Sequence, residues 1–260
     1  MSTGRMVRLS HMLGLHRLDG DQSDVKQILP PPRDWIEKEE RRRTFWAAFY
    51  GDRWASSGTG WPMSIEEREV CVSSFYLCYY TLLITNQIIT NLPASEESFE
   101  RGIEEKSVSL AEALTPGGTP HISPFAGVIL SASLFGHNFQ HLHRTGPDER
   151  PDDYAGGEFW KRHRKMDNVL SNTFMFLPDG LRIPNALRDM NVVFMHMNIH
   201  ASIICLHQAA ILTAERHGIS PNVIKQCRDR SLMAAQEITS IMRFCSHVDA
   251  SQVSKRGLYL

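Results

Sequence analysis

The sequence lacks a charge bias of either sign. Its 28 Lys and Arg residues are balanced by 29 Asp and Glu residues, and the formal net charge is -1. Binding to nucleic acid requires a basic surface that displaces counterions from the phosphates. We therefore expect that this chain does not hold DNA on its own.

Cysteine is scarce, and its spacing excludes two kinds of site. The chain has five cysteines, an odd number, and none of them is spaced C-x-x-C: Cys71, Cys78, Cys205, Cys227 and Cys245. This distribution fits neither a disulfide framework nor a cysteine zinc site. We expect reduced, intracellular thiols.

Catalytic and targeting motifs are also missing. The chain has no G-x-S-x-G, no P-loop, no H-E-x-x-H and no dinucleotide fingerprint. The first twenty residues contain no long apolar stretch followed by small residues, so they do not form a secretory signal. The sequence therefore predicts a protein that is not an enzyme.

Apolar residues recur at helical spacing along the chain, and alternating strand patterns do not occur. The sequence predicts an all-α fold, an irregular multi-helix domain whose core helices span residues 34–57, 122–143, 185–217 and 221–246. Asp34 is the expected N-cap of the first of these, with Glu37 completing a variant of the capping box. Ser95 is expected to cap a short helix that runs to Ile103.

Histidines are the strongest candidates for chemistry. His196, His200 and His207 share one face of the long helix, which invites a metal site. However, His196 and His207 would be about 16 Å apart at 1.5 Å per residue, so one ion could bind only the first pair. We expect hydrogen-bonded core histidines, with metal binding as the alternative.

A second histidine group, His137, His141 and His143, lies near the predicted end of a helix. A favourable interaction with the helix dipole is sufficient to explain it, and a metal or catalytic role is the alternative.

Three consecutive arginines, Arg41 to Arg43, follow three glutamates, Glu37, Glu39 and Glu40. The run could be a phosphate-binding or nuclear-import patch. The neighbouring glutamates favour a solvated helix surface instead, on which Glu39 pairs with Arg42 and Arg43 for a few tenths of a kcal/mol.

Four motifs, in this order, resemble a known family. They are LGLHR (residues 13–17), EERRRTFWAAFYGDRWAS (39–56), GWPMSI (60–65) and NLPASEE (91–97). Together they resemble the fungal-specific transcription factor domain, the regulatory middle region of zinc binuclear-cluster regulators, also called the xylanolytic-activator regulatory domain. A weaker match continues through SPFAGVIL and IICLHQAAI.

The resemblance implies an all-helical regulatory domain over residues 1–250, partial at its ends, in a nuclear regulator of transcription. It also implies seven structural signature positions: Arg42, Arg43, Trp46, Asp52, Arg53, Gly60 and Pro62. In the family these positions hold two helices and the loop between them together. Asp52 and Arg53 are adjacent, so each is expected to find its partner elsewhere, and Trp61 stands where the family usually has Arg.

The six-cysteine zinc module of this family is absent from the sequence. The resemblance therefore implies that zinc and DNA are bound only by that missing N-terminal module, that this chain has no cofactor of its own, and that the chain is a fragment or a truncated gene model. Protein partners or a small-molecule effector are expected to bind at an apolar pocket or groove. No association with a membrane is expected. The alternative function is a helical small-molecule-binding protein or histidine-metal enzyme, in which His196 and His200 would converge with a carboxylate.

Residues 70–87, VCVSSFYLCYYTLLITNQ, interrupt the composition of the chain. They lie within 26 consecutive uncharged residues, Val70 to Ser95. We expect a retained intron translated in frame, since Val70-Cys71 can be encoded by the splice donor GTATGT and Gln87 by the acceptor CAG. A membrane span and a buried core helix are the structural alternatives.

Overall fold

The computed structural model describes residues 3–20, 28–67, 88–115, 122–144, 146 and 149–246. Eight α-helices lie in these residues, and no strand occurs among them: α1 Thr3–Met12, α2 Trp35–Thr59, α3 Glu96–Arg101, α4 Leu110–Ala113, α5 Pro124–His143, α6 Glu158–Met175, α7 Met190–His217 and α8 Pro221–Ser246. Short 3-10 turns occur at Leu15–Arg17 and Asp179–Leu181. The prediction of an all-α fold is confirmed.

The chain divides into two compact units, residues 1–111 and residues 112–260. The sequence predicts one helical domain, and these two units subdivide it. The limits of the regulatory domain, residues 1–250, stay a prediction. The expected retained intron at residues 70–87 lies outside the described residues.

The first unit is built on α2, whose two ends are set by local chemistry. The Asp34 side chain accepts the Glu37 N–H at 2.8 Å, as predicted, while the Glu37 carboxylate accepts the N–H of Arg33 at 2.9 Å. The second bond of the capping box thus goes to the N–H of Arg33, one residue before the N-cap Asp34. At the other end Gly60 adopts φ 74°, a left-handed conformation that glycine tolerates without strain, and its N–H donates to the Ser56 carbonyl.

The core of the first unit lies where α1 and residues 88–94 pack around α2. Phe45, Trp46 and Phe49 are fully buried. The Thr90 hydroxyl donates to the Leu15 carbonyl at 2.6 Å and accepts the Leu18 N–H at 3.0 Å. These bonds join residues about seventy positions apart in the sequence. The first unit therefore depends on contacts that local sequence patterns do not predict.

In the second unit α7 packs against α5, α6 and α8. It begins at Met190, where the Asp189 side chain accepts the Asn191 N–H at 2.9 Å, and not at residue 185 as predicted. The predicted start was wrong because residues 182–189 form successive turns before this cap. The other predicted ends agree closely: α5 starts after its N-cap Ser123, and α8 covers residues 221–246.

Among the described residues, α7 is also the one helix that is long and apolar enough to cross a membrane by length and composition. Twelve of its residues are buried in the second unit, including His196, His200 and His207. A core helix passes the same test of length and hydropathy, and its packing here is that of a core helix.

Candidate functional site

Arg42 of α2 is buried, and the expected solvated surface is wrong for this part of the helix. Glu39 is completely buried and Arg42 is 3% exposed. The Arg42 guanidinium donates to Glu39 and, through both carboxylate oxygens at 2.8 and 3.0 Å, to Asp19. The Glu39 carboxylate also accepts the backbone N–H of Ala94 at 2.9 Å. Residues remote in the sequence cover this face of α2, and local spacing could not reveal them.

Arg43 and Trp46 attach α2 to the segment that precedes α3. Arg43 donates to the Ala94 carbonyl at 3.0 Å and to the Glu96 carboxylate at 2.6 Å, and its guanidinium lies 4.3 Å from the Phe99 ring centroid. The buried indole N–H of Trp46 donates to the carbonyl of Asn91 at 2.7 Å. Both side chains therefore hold a helix to a loop.

Asp52 and Arg53 were expected to find separate partners, and this expectation is wrong in part. Neighbours on a helix point about 100° apart, but the long Arg53 side chain folds back and its Nη1 lies 3.0 Å from the Asp52 carboxylate. Each also has an outside partner. Asp52 accepts the N–H groups of Ser64 and Ile65 at 3.0 Å, and Arg53 donates to Glu67 at 2.7 Å.

Gly60 and Pro62 lie in the loop that Asp52 organises. The Pro62 carbonyl accepts the Ser56 hydroxyl at 3.4 Å. Trp61, at the position where the family usually has Arg, is 73% exposed. The seven signature residues thus tie α2 to the loop after it, to residues 91–96 and to Asp19, and most of their polar side-chain atoms are used in these internal contacts.

The histidines of α7 separate into two environments. His196 Nε2 lies 2.7 Å from the carbonyl oxygen of Leu181, and the Phe174 ring meets the edges of His196 and His200 at 5.5 and 5.2 Å. Burial lowers the pKa of His200 to about 4. His196 is thus the hydrogen-bonded core histidine that was expected, whereas His200 is buried in the core with its Nδ1 unpartnered.

The second histidine group does not gather around one point. His143 is exposed, and its Nδ1 lies 2.9 Å from the Phe139 carbonyl oxygen. His141 is buried with its ring 4.9 Å from Phe159, and burial lowers its pKa to about 4. His137 is half-buried.

His207 belongs to a group that the sequence did not reveal. His163 on α6, His207 on α7 and Cys227 on α8 each place a nitrogen or sulfur atom within 4.8 Å of the other two. All three residues are buried, at 6%, 3% and 5% exposure. We call these three residues the His-His-Cys cluster. Three separate helices supply it, so only the tertiary structure brings it together.

Asp167 and Arg230 border the His-His-Cys cluster. His207 Nε2 lies 3.2 Å from the Asp167 carboxylate, which also accepts Arg230 at 2.6 Å. Burial raises the pKa of Asp167, but the hydrogen bonds from His207 and Arg230 outweigh it and lower the pKa to about 2. Asp167 is therefore an anion that fixes the His207 ring.

A cavity of about 400 Å³ opens beside the cluster. Its lining is Tyr154, Trp160, His163, Arg164, Asp167, His207, Val223, Gln226, Cys227, Asp229, Arg230 and Met233. Eight of these twelve side chains are ionisable, while Trp160, Val223 and Met233 supply apolar surface.

Electrostatics keep His163 and Cys227 of the cluster neutral. Burial, followed by the nearby His207 and His141, lowers the pKa of His163 to about 3. Burial and the Asp167 charge raise the pKa of the Cys227 thiol to about 11. A thiol of this kind is a poor nucleophile, because reactive cysteines require a lowered pKa. The arrangement does not resemble an activated Cys-His pair.

Comparison with known proteins supports the resemblance found in the sequence. The model of the fungal specific transcription factor domain matches residues 2–144. The pigment biosynthesis transcriptional activator pigB of Monascus ruber is 28% identical over 93% of this chain and 40% of its own length. The citrinin biosynthesis transcriptional activator ctnR of Monascus purpureus is 28% identical over 94% of this chain and 38% of its own length.

The azaphilone cluster-specific transcription factor azaR of Aspergillus niger is 28% identical over 95% of this chain and 49% of its own length. This chain thus spans less than half of each of these relatives. No solved structure matches it. Because the family model covers more than half of the residues, the chain belongs to the fungal specific transcription factor domain family.

Proposed function

We propose that this chain is the regulatory region of a fungal transcription factor that controls genes of a biosynthetic cluster. The observation that carries the proposal is the family match over residues 2–144. The relatives supply the second part, since their names describe activators of pigment and citrinin biosynthesis and an azaphilone cluster factor. The regulator works in the nucleus, and protein partners or a small-molecule effector act on it.

In this proposal DNA is contacted by a zinc-cluster module of the whole protein and not by this chain. The support is the near-zero net charge, which leaves no excess of basic residues for phosphate contacts. The chain carries no catalytic step. A histidine-metal enzyme built on His196 and His200 is less well supported, because His196 bonds to the Leu181 carbonyl and both rings pack on Phe174.

A reporter assay in a fungal host tests the regulatory role. The full chain is inserted between a heterologous DNA-binding module and an activation segment, and the output is compared with the direct fusion of those two parts. We expect the inserted chain to change the output several-fold at equal protein level. Equal outputs would overturn the proposal.

Two variants of the inserted chain separate regulation from spacing. Asp52→Ala removes the acceptor for the N–H groups of Ser64 and Ile65, and it is expected to abolish the effect by weakening the first unit. Glu97→Gln changes a salt bridge whose side chains are 65% and 70% exposed, and it should leave the effect intact. If both variants behave like the parent, the chain acts only as a spacer.

A DNA-binding assay tests the second part of the proposal. The isolated full chain is expected to bind DNA no better than a neutral protein of its size. A salt-sensitive and sequence-specific complex in the submicromolar range, roughly the level of real operators, would place DNA recognition in this chain and contradict the proposal.

A further inference from the structure

We propose that the His-His-Cys cluster of the second unit is a zinc site, separate from the zinc of the family's DNA-binding module. It consists of His163, His207 and Cys227, which belong to α6, α7 and α8. The cavity beside it leaves room for a fourth ligand, a water molecule.

The donor atoms select the kind of metal. Two imidazoles and one thiolate are ligands that Zn²⁺ accepts, whereas Mg²⁺ and Ca²⁺ require oxygen. Three protein ligands with one open position are a known zinc arrangement. The donor set therefore points to a thiophilic divalent ion.

The distances allow a tetrahedral site after small side-chain rotations. Zinc lies about 2.0–2.1 Å from nitrogen and about 2.3 Å from sulfur, so tetrahedral ligand atoms are roughly 3.5 Å apart. The three donor atoms here lie within 4.8 Å of one another. A contraction of about 1 Å brings these atoms to tetrahedral spacing.

Unpartnered nitrogen atoms are the second observation that points to a ligand. Nδ1 of His163 and Nδ1 of His207 are both buried without a hydrogen-bond partner. A buried polar atom that lacks a partner costs about 1–3 kcal/mol. A bound ion would use such nitrogens as ligands and remove this cost.

Asp167 supports the proposed site by contacting the His207 ring nitrogen Nε2. Its carboxylate lies 3.2 Å from His207 Nε2 and is itself held by Arg230 at 2.6 Å. Histidine ligands in metal sites commonly give their other ring nitrogen to a carboxylate, which fixes the tautomer and raises the basicity of the ligating nitrogen. His207 is therefore oriented as a metal ligand would be.

Binding releases the Cys227 proton. The Cys227 thiol gives up its hydrogen to solvent as the Zn–S bond forms, while the imidazoles bind through nitrogen lone pairs. The positive ion stabilises a thiolate that burial would otherwise disfavour. The bound ion joins three helices and so stabilises the second unit.

Cobalt substitution in the purified full chain tests the site directly. The protein is stripped with a chelator and titrated with Co²⁺, whose absorption reports tetrahedral coordination and a thiolate ligand. We expect one Co²⁺ per chain, a sulfur-to-cobalt charge-transfer band, displacement of Co²⁺ by Zn²⁺ and a higher melting temperature with Zn²⁺. Absence of the charge-transfer band would overturn the proposal. So would displacement of Co²⁺ that does not follow a stoichiometry of one Zn²⁺ per chain.

Cysteine variants identify the ligand. Cys227→Ser should lose the charge-transfer band, while Cys205→Ala and Cys245→Ala, which change the other described free cysteines, should keep it. A Cys71→Ala/Cys78→Ala double variant should also keep it. Circular dichroism confirms that each variant is folded. A folded Cys227→Ser protein that keeps the band would show that another cysteine binds the metal.

Asp167→Asn probes the supporting carboxylate without removing a ligand. Its charge-transfer band should persist, while its affinity for Zn²⁺ falls about 10- to 100-fold, the usual effect of changing such a partner. An unchanged affinity would exclude the orienting role of Asp167. In that case the site would stand on the three ligands alone.

Discussion

Replacing Glu39 by glutamine should destabilise the first unit strongly, although it changes a single atom of the side chain. The Glu39 carboxylate is completely buried and accepts hydrogen bonds from Arg42, from Arg43 at 3.2 Å and from the Ala94 N–H at 2.9 Å. Glutamine has one acceptor oxygen. Its NH₂ group is a hydrogen-bond donor and would face the arginine guanidinium, which has donors and no acceptor.

The size of the effect follows from the burial of Arg42, which is 3% exposed. Removing one partner of a buried ion pair costs about 3–5 kcal/mol, since it leaves a charge without compensation. Arg42 keeps its bonds to Asp19 at 2.8 and 3.0 Å, so we expect the lower end, about 3 kcal/mol. That is a large fraction of the roughly 5–15 kcal/mol that stabilises a typical domain.

Urea unfolding of the full chain, followed by tryptophan fluorescence, measures this loss. Four of the five tryptophans lie in the first unit, so the signal reports mainly on it. The matched control is Glu97→Gln, whose partner Arg101 is on the surface and which should cost less than about 0.5 kcal/mol. If the unfolding free energy of Glu39→Gln differs from that of the parent by less than about 0.5 kcal/mol, the reasoning about the buried network is wrong.

Three further predictions concern the first unit. Asp52→Ala should lower its unfolding free energy by about 3 kcal/mol, because two backbone N–H groups and Arg53 lose their acceptor; a urea midpoint equal to the parent's would contradict this. Burial, with the nearby charges of His11 and Arg17, lowers the pKa of His16 from 6.5 to about 4. The unfolded chain therefore takes up this proton first as the pH falls, and stability drops between pH 6.5 and about 4 by up to about 1.4 kcal/mol per pH unit. His16→Leu should flatten that slope in urea titrations, and an unaltered slope would exclude His16 as its source. Trp61→Ser should change the unfolding free energy by less than about 0.5 kcal/mol, since the indole is 73% exposed, and a larger change would show that the ring packs against the protein.

Local signals in the sequence were enough to place most helices. Asp34 and Ser95 cap helices through their own side chains as predicted, and such caps are visible in sequence because the bond spans only three residues. The start of α7 was misplaced because turns before Asp189 carry apolar residues that resemble a helical continuation.

Burial of charge could not be inferred in the same way. The spacing of Glu39, Arg42 and Arg43 gave the correct pairs but the wrong environment. The spacing of residues along a helix predicts which side chains can pair. Whether the pair is buried depends on residues such as Ala94, more than fifty positions from Glu39. The His-His-Cys cluster escaped for the same reason, since His163 and Cys227 each lie in an apolar helical stripe and meet only when three helices pack.

The network around Arg42 also constrains how this chain can diverge. Arg42 uses a planar fork of donors toward Asp19 and Glu39, and lysine, with one compact ammonium group, cannot reproduce that geometry. Among the described residues, Arg41 bonds to Glu37 and the Pro30 carbonyl, and its side chain is less buried than that of Arg42, so lysine can replace it. Across descendants of one ancestral gene, Arg41 should therefore drift freely to lysine, while Arg42 should change only together with Asp19 and Glu39.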